Sequence, residues 1–240
     1  MGLGIKTKAL ALRDWVFKYR LPPLRRFLGD TSEHGELALL RQLSDGSPKQ
    51  LIVDVGANDG ITVSNSYGLI LRGWEAILVE PYPPCFQQLQ QRYGNNPKVR
   101  LVNSACGSEA GELDLFLGTD GTAAGYATLC TDDSDWFKAT RTGESVKVPV
   151  APLTAILEKQ GCPPRFSVLS VDTEGYDLRV LESLDFSRFR PEVVITEDDP
   201  ILLPPPPELA TDARKFELLR ERGYDLVRRY SRNSIWKSRG

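Results

Sequence analysis

The 240-residue chain is long enough to bury a core as one large α/β domain or two small ones. Apolar residues make up 41% and charged residues 26%, which excludes collagen, low-complexity scaffolds and wholesale disorder. The formal charge of −2 argues against a uniformly polyanion-binding surface. Four scattered cysteines and a single histidine argue against a structural zinc site and a disulfide scaffold.

Residues 1–30 form a basic arm with a net charge of +5, in which apolar residues recur at helical spacing as far as Pro22-Pro23. Such an arm can contact a membrane surface or an anionic partner, or pack on the acidic remainder of the chain. We predict one domain over 31–240 after this arm. No apolar stretch approaches the length of a membrane span and no targeting segment is recognised, so the expected location is the cytoplasm. The sequence specifies no oligomeric state.

From residue 51 onward, short apolar strands alternate with amphipathic helices. Strands are predicted at 51–55, 75–79, 99–102, 166–171 and 193–195, and helices at 62–72, 83–93, 152–160, 176–184 and 208–222. This alternation indicates a mostly parallel sheet with helices on both faces. The segments 224–227 and 233–236 predict an antiparallel hairpin that closes the chain.

Two segments of this α/β pattern are interpreted differently. Alternation over 112–117 predicts a half-exposed antiparallel strand, and a further strand follows at 146–150. Residues 118–145 between them, rich in Gly, Thr, Ser and Asp, are predicted to form a long loop or lid. Residues 198–210, which include four consecutive prolines, are predicted to form a stiff loop on the substrate side.

The first binding motif is the run from Asp54 to Gly60, which follows a buried strand. Parallel sheets bind ligands at the carboxyl ends of their strands, and glycine permits the tight turn there. The run lacks the Gly-x-Gly-x-x-Gly spacing of a pyrophosphate cradle, which disfavours a nicotinamide-dependent oxidoreductase. An acidic residue suits a cationic nucleoside instead, such as S-adenosylmethionine (SAM), whose amino-acid end Asp54 can meet.

Polar residues also end the next two strands. Glu80 ends the second strand, where a carboxylate can accept hydrogen bonds from both ribose hydroxyls. Asn103 and Ser104 end the third, where short polar side chains can bind an adenine edge or serve as a turn. The central hypothesis is that Asp54 and Glu80, at neighbouring strand tips, hold opposite ends of one positively charged nucleoside.

Several carboxylates are predicted at the same edge of the sheet. Asp172 and Glu174 follow the 166–171 strand, and Glu197 and Asp198 follow its predicted neighbour. Like charges gathered so closely need a raised pKa, a bound cation or a positive substrate. One of them can be the base that removes a hydroxyl proton, or Asp172, Glu197 and Asp198 can hold Mg²⁺ or Mn²⁺. These acids can also simply cap the elements that follow.

At these motifs the sequence resembles the FkbM family of SAM-dependent methyltransferases. The matching stretches are LIVDVGANDGITVSNS, GWEAILVEPYPPCFQQL, VRLVNSACGS and FSVLSVDTEGYDLRVL. Residues 31–36 are similar to an upstream Ser-Gln-x-Gly segment of many members, with Glu33 in the place of Gln. The resemblance implies a class I methyltransferase fold: a seven-stranded, mostly parallel, Rossmann-like sheet with a C-terminal antiparallel hairpin.

The resemblance also implies which residues form the site. The candidates for contact with SAM are Asp54, Gly56, Ala57, Asn58, Asp59, Gly60, Ser64, Asn65, Glu80, Pro81, Asn103, Ser104, Ala105 and Asp172. The catalytic candidates are Asp172, Glu174, Glu197 and the lone His34.

Many family members methylate hydroxyl groups of sugars, glycolipids or macrolides. The implied activity is therefore O-methyl transfer to a carbohydrate, a glycolipid or a glycosylated natural product. The alternative is a catalytically silent SAM-binding or interaction module that works through its basic arm. Nucleic acid is disfavoured as a partner because no basic stripe lies outside residues 1–30.

Overall fold

The structure, a computed structural model, describes residues 29–47, 49–118, 127–129, 141–198, 209–230 and 232–240. The predicted basic arm therefore lies outside the described residues, apart from its last two positions. The same holds for most of the predicted loop 118–145 and for 199–208 of the proline-rich loop.

Ten strands and six helices are described. The strands are β1 (Leu51–Val55), β2 (Glu75–Val79), β3 (Val99–Val102), β4 (Ala105–Cys106), β5 (Gly111–Gly118), β6 (Arg141–Ala151), β7 (Arg165–Val171), β8 (Arg190–Glu197), β9 (Tyr224–Arg229) and β10 (Asn233–Ser238). The helices are α1 (Leu37–Leu43), α2 (Tyr67–Ile70), α3 (Pro83–Tyr93), α4 (Leu153–Lys159), α5 (Asp177–Glu182) and α6 (Leu209–Glu221).

The main sheet has seven strands in the order β3-β2-β1-β7-β8-β10-β9. The first five of these run parallel, whereas β10 is antiparallel to both β8 and β9. The predicted seven-stranded sheet with a closing antiparallel hairpin is confirmed. Because the central parallel strands share one direction, the ends of β1, β2, β7 and β8 meet at a single edge.

Helices cover both faces of this sheet, as the continuous burial of β1 requires. On one face, apolar side chains of α4, α5 and α6 pack against Val53, Val55 and Leu169. On the other face, side chains of α1, α2 and α3 pack against Ile52 and Leu78. The sheet is therefore buried between two layers of helices.

A second sheet of three strands, in the order β4-β6-β5, stands beside the main one. Strands β5 and β6 form a long antiparallel ribbon, in agreement with the alternation predicted over 112–117. Its apolar side, which includes Leu115, Val148 and Val150, packs with Leu129 and against Tyr176. The ribbon thereby reaches the segment that follows β7.

The predicted helix over 62–72 is wrong, because the helix there is only Tyr67–Ile70. The side chain of Asp59 accepts hydrogen bonds from the backbone N–H groups of Ile61 and Thr62. Val63 has a left-handed backbone with φ of 49°. A local carboxylate–backbone turn and a left-handed residue both interrupt helical pairing, so residues 59–66 form a loop.

Among the helices of the described part of the chain, none is long and apolar enough to span a bilayer.

Candidate active site

A cavity of about 470 Å³ lies at the carboxyl edge of the main sheet. The loops after β1, β2, β3 and β7 form its floor and sides. The end of β8, the β9–β10 turn and the β5–β6 ribbon supply further walls through Glu197, Arg232 and Leu115. Every strand end that the sequence analysis singled out therefore borders one space.

Asp54 lies at the bottom of this cavity, near the end of β1. Its carboxyl group is buried and accepts hydrogen bonds from the hydroxyls of Ser66 and Ser170. Burial raises its pKa above the ordinary value, and the two hydroxyls offset only part of that effect. Among the described residues, no cationic side chain is paired with Asp54. A positively charged ligand would supply the missing compensation.

Asn65 lies beside Asp54 in the same cavity wall. Its side-chain N–H₂ donates to Oγ of Ser170 at 3.2 Å. Its side-chain oxygen is buried and has no hydrogen-bond donor among the described residues. An acceptor left without a donor is costly, so this atom fits the ammonium group of an amino acid ligand.

Gly56 makes the turn after β1 possible. Its backbone is left-handed with φ of 87°, and a Cβ placed there would overlap the carbonyl oxygen of Asp172. Only glycine tolerates both conditions. The loops after β1 and β7 therefore run against each other, and Asp172 is held beside the motif that begins at Asp54.

Glu80 occupies the neighbouring strand end. One carboxylate oxygen accepts the backbone N–H of Tyr82 at 2.8 Å, and the other accepts that of Asn58 at 2.8 Å. Burial raises the pKa of Glu80 to about 7, and the charge of Asp54 raises it further. The two backbone hydrogen bonds lower this pKa but do not cancel the effect of burial. Each oxygen keeps a second lone pair, so the carboxylate is oriented and able to accept ligand hydroxyls.

Three more carboxylates form a second group in the cavity, which we call the acid cluster: Asp172, Glu174 and Glu197. One oxygen of each lies within 4.8 Å of the others. Burial raises the pKa of Asp172 and of Glu174 well above the ordinary values, and the charge of Glu197 raises both further.

Asp177, in the first turn of α5, holds the acid cluster together. Its Oδ1 accepts the backbone N–H of Thr173 at 2.9 Å, and its Oδ2 accepts that of Glu197 at 3.0 Å. Burial raises its pKa to about 7, whereas the charge of Lys215 lowers it. The loop after β7 and the end of β8 are thus tied to one side chain, which explains why acids from two strands converge.

Arg232, in the β9–β10 turn, is the one basic residue among the described residues that line the cavity. Its Nη2 donates to Oε1 of Glu197 at 2.7 Å, and its Nε lies 3.9 Å from Oε2 of Glu33. Burial works to lower the pKa of Arg232, but the charges of Glu197, Glu33 and Glu174 outweigh it and raise that pKa. Arg232 therefore remains a cation beside the acid cluster.

The structure places most of the predicted SAM-contact residues along the cavity. The residues of that set that line it are Asp54, Gly56, Ala57, Asn58, Asp59, Ser64, Asn65, Glu80, Pro81, Ser104, Ala105 and Asp172. Their contacts with SAM stay a prediction.

Gly60 and Asn103 are not among the described residues that line the cavity, and their contact with SAM stays a prediction. Gly60 faces α3, where a Cβ would come within 2.7 Å of the side chains of Leu89 and Tyr93. The side chain of Asn103 donates to the backbone carbonyl of Glu80 at 2.8 Å. Both residues therefore shape the loops that carry the site.

His34 and Asp198 are also not among the described residues that line the cavity, and their predicted roles in catalysis and in metal binding stay predictions. The ring of His34 stacks on Tyr230, with centroids 5.6 Å apart and an interplanar angle of 8°. Asp198 is fully buried and is bound by Arg229 at 3.0 Å and by the hydroxyl of Ser234. Side chains along β8 alternate between faces, so Glu197 and Asp198 point apart.

Arg232 was missed by the sequence analysis, and Glu33 was noted only as a departure from a motif. Both are far from the acid cluster along the chain, and they approach it because the N-terminal segment packs on the hairpin. The side chain of Asn233 donates to Glu36 at 2.8 Å in that contact. The one sequence signal was a charged residue in the turn of the predicted closing hairpin.

The strand order and the closing antiparallel hairpin are those of the class I, Rossmann-like methyltransferase fold. Among solved structures, a putative caffeoyl-CoA O-methyltransferase from Staphylococcus aureus matches 98% of this chain and 99% of its own, with a TM-score of 0.52 and 12% identity. A METTL16 methyltransferase domain matches 85% of this chain with a TM-score of 0.47 and 12% identity. This chain spans 66% of that domain, just under two thirds. These likenesses concern the fold.

The sequence itself matches the methyltransferase FkbM domain over residues 54–226, which is more than half of the chain. The chain therefore belongs to the FkbM methyltransferase family, as the resemblance implied. No curated protein matches it. Arg232 and Glu33 both lie outside the matched range, although they line the same cavity.

Proposed function

We propose that this protein is a SAM-dependent O-methyltransferase that acts on a hydroxyl group of a carbohydrate, a glycolipid or a glycosylated natural product. The observation that carries this proposal is the position of the acid cluster in the same cavity as Asp54 and Glu80. Proton acceptors thus border the space that receives the methyl donor.

The residues of the cavity fit SAM. The buried carboxylate of Asp54 can bind the ammonium group of SAM, and so can the side-chain oxygen of Asn65, which has no hydrogen-bond donor among the described residues. The carboxylate of Glu80, oriented by its backbone partners, can accept hydrogen bonds from the ribose hydroxyls. When bound, SAM supplies a methyl group attached to a positively charged sulfur. The protein's part is then to align the acceptor oxygen and to remove its proton.

The charge of the cavity supports a neutral acceptor. Seven acidic side chains line it, from Glu33, Asp54, Asp59, Glu80, Asp172, Glu174 and Glu197, and Arg232 supplies the one guanidinium among the described residues there. A phosphorylated or polyanionic acceptor would be repelled by this excess of acids. A polyhydroxylated acceptor can instead donate hydrogen bonds to them. The hydroxyl groups of a saccharide are donors of this kind.

Mg²⁺ or Mn²⁺ is not required in this proposal. The acid cluster has oxygen ligands of the right type. However, Oε1 of Glu197 is already bound by Arg232, and Asp198 is bound by Arg229 and Ser234. We infer that Arg232 supplies the positive charge that a divalent ion would otherwise bring.

The test combines binding and transfer. Isothermal titration with SAM should show saturable binding, and a panel of neutral mono- and disaccharides and glycolipids should incorporate radiolabel from [methyl-³H]SAM at oxygen. The variant Glu80→Gln should weaken the binding of SAM, whereas Glu112→Gln, on the exposed ribbon, should not. Absence of saturable binding at hundreds of micromolar, or label recovered only on nitrogen, would contradict the proposal.

A further inference from the structure

The three carboxylates of the acid cluster differ in their surroundings, although they lie within 4.8 Å of one another. We propose that Glu174 is the base that takes the acceptor's proton. In this proposal Arg232 is a positioning residue: it pairs with Glu197 and thereby leaves Glu174 as the proton acceptor. The proposal rests on the proposed function, because it names the proton acceptor of that reaction.

Glu197 is held on three sides. Its Oε1 accepts from Arg232 at 2.7 Å, its backbone N–H donates to Asp177 at 3.0 Å, and its backbone carbonyl accepts from Nζ of Lys215. A carboxylate that is paired with a guanidinium is stabilised as an anion and is a weak proton acceptor. Oε1 of Glu197 is therefore already bound by a cationic donor, unlike Oε2 of Glu174.

Glu174 is placed differently. Its Oε2 is buried, and among the described residues no donor reaches it. Its backbone is left-handed with φ of 51°, a costly conformation for a glutamate, and Oγ1 of Thr128 donates to its carbonyl at 2.7 Å. A buried carboxyl oxygen without a donor, on a cavity wall, suits a hydroxyl group that comes from a ligand.

Asp172 is the competing candidate within the acid cluster. Burial and the charges of Glu197, Glu174, Asp177 and Asp54 all raise its pKa. For Glu174, burial and the charges of Glu197, Asp177 and Glu33 act in the same direction, but the charge of Arg232 opposes them. The guanidinium of Arg232 therefore favours the carboxylate form of Glu174.

The proton balance of the reaction follows from this assignment. The acceptor oxygen forms a bond to the methyl carbon, and the carbon–sulfur bond breaks with its electron pair going to sulfur. The proton of the acceptor hydroxyl passes to the carboxylate of Glu174, which later releases it to solvent.

The first test needs no acceptor. Protein labelled with ¹³C at the glutamate side-chain carboxyls is titrated by NMR, and the signal of Glu174 is assigned by its loss in Glu174→Gln. In Arg232→Met, the titration midpoint of Glu174 should move to higher pH by about one unit or more, because the opposing charge is gone. Arg232→Lys should restore most of the difference. Arg239→Met, which removes an exposed pair with Asp225 on the same hairpin, should leave the midpoint unchanged.

The second test uses the first saccharide of the panel that is methylated. Glu174→Gln should lower kcat by about 10² to 10⁴ while the SAM dissociation constant changes less than about threefold. Arg232→Met should shift the acidic limb of the pH profile of kcat upward, and Arg232→Lys should shift it less. The inference is overturned if the titration midpoint of Glu174 is unchanged in Arg232→Met, or if the Glu174→Gln enzyme is active. Failure of SAM binding in the unmodified protein would instead overturn the proposed function.

Discussion

The hydroxyl of Thr128 donates a hydrogen bond of 2.7 Å to the backbone carbonyl of Glu174, 46 positions along the chain. Thr128 is itself paired with Phe116 of β5 by two backbone hydrogen bonds, of 2.9 and 3.0 Å. The ribbon is therefore joined to the acid cluster, and it supports a residue whose backbone is strained.

Replacement of Thr128 by Val should lower the free energy of unfolding by about 1–2 kcal/mol, because the carbonyl of Glu174 loses its buried donor. Urea denaturation followed by circular dichroism measures this loss. Thr128→Ser keeps the hydroxyl group and serves as the matched control. Equal unfolding midpoints for the Val variant and the unmodified protein would show that this hydrogen bond contributes nothing.

Gly56→Ala should abolish SAM binding or prevent folding, since its methyl group would overlap the carbonyl of Asp172. Gly46→Ala is a matched control: Gly46 is also left-handed, with φ of 82°, but nothing lies within 4 Å of its Cβ position. The control should cost only about 1 kcal/mol of stability. Thermal unfolding and SAM titration of both variants separate backbone strain from the clash. Similar losses in both would argue that the close approach is unimportant.

The stability of the ligand-free protein should fall as the pH rises from about 4.5 to 7. Glu80 has a pKa of about 7 in the folded protein, against an ordinary value of 4.5. Within this window the folded state binds more protons than the unfolded state, so the slope of unfolding free energy against pH is negative. Asp177, whose pKa is also about 7, adds to the effect. Chemical denaturation at several pH values measures it.

The variant Glu80→Gln should flatten this pH dependence. SAM should also bind the unmodified protein more tightly as the pH rises through 7, because Glu80 then becomes a carboxylate that accepts two ribose hydrogen bonds. Titration calorimetry at pH 6 and pH 8 provides the comparison. A SAM affinity that is equal at both values in the unmodified protein would place the ribose elsewhere.

Metal removal should leave methyl transfer unchanged. Since Arg232 already binds Glu197, EDTA is expected to lower the rate by less than about twofold. The control is the same assay with added Mg²⁺ or Mn²⁺ after dialysis. Activity that is lost with EDTA and recovered with either ion would assign the acid cluster to metal binding.

Asp198→Asn should destabilise the protein without changing SAM binding. Its buried carboxylate lies 3.0 Å from Nε of Arg229 and 3.8 Å from Nζ of Lys215, so the substitution breaks a buried group of ion pairs. We expect a loss of about 3 kcal/mol or more in unfolding free energy, measured in urea. A large drop in SAM affinity for a folded variant would show that Asp198 contributes to the binding site.

Local patterns were sufficient for much of this molecule. Alternating runs predicted the strands at 51–55 and 75–79, and the helix at 83–93 has the predicted bounds. They failed at 62–72, where Asp59 turns the backbone and Val63 adopts a left-handed conformation that its residue type disfavours. Long-range contacts stabilise such a loop, and the helix propensities of its residues carry no information about those contacts.

The sequence by itself determined the parallel sheet, the family and the positions of Asp54 and Glu80 at neighbouring strand ends, because strand direction and adjacency follow from local order along the chain. Only the tertiary structure decided that Arg232 reaches Glu197 and that Asp198 turns into the core. Those outcomes depend on how a hairpin and an N-terminal segment pack around the end of β8. Such packing is a property of the assembled fold, and residues far apart in sequence carry no local pattern that reports it.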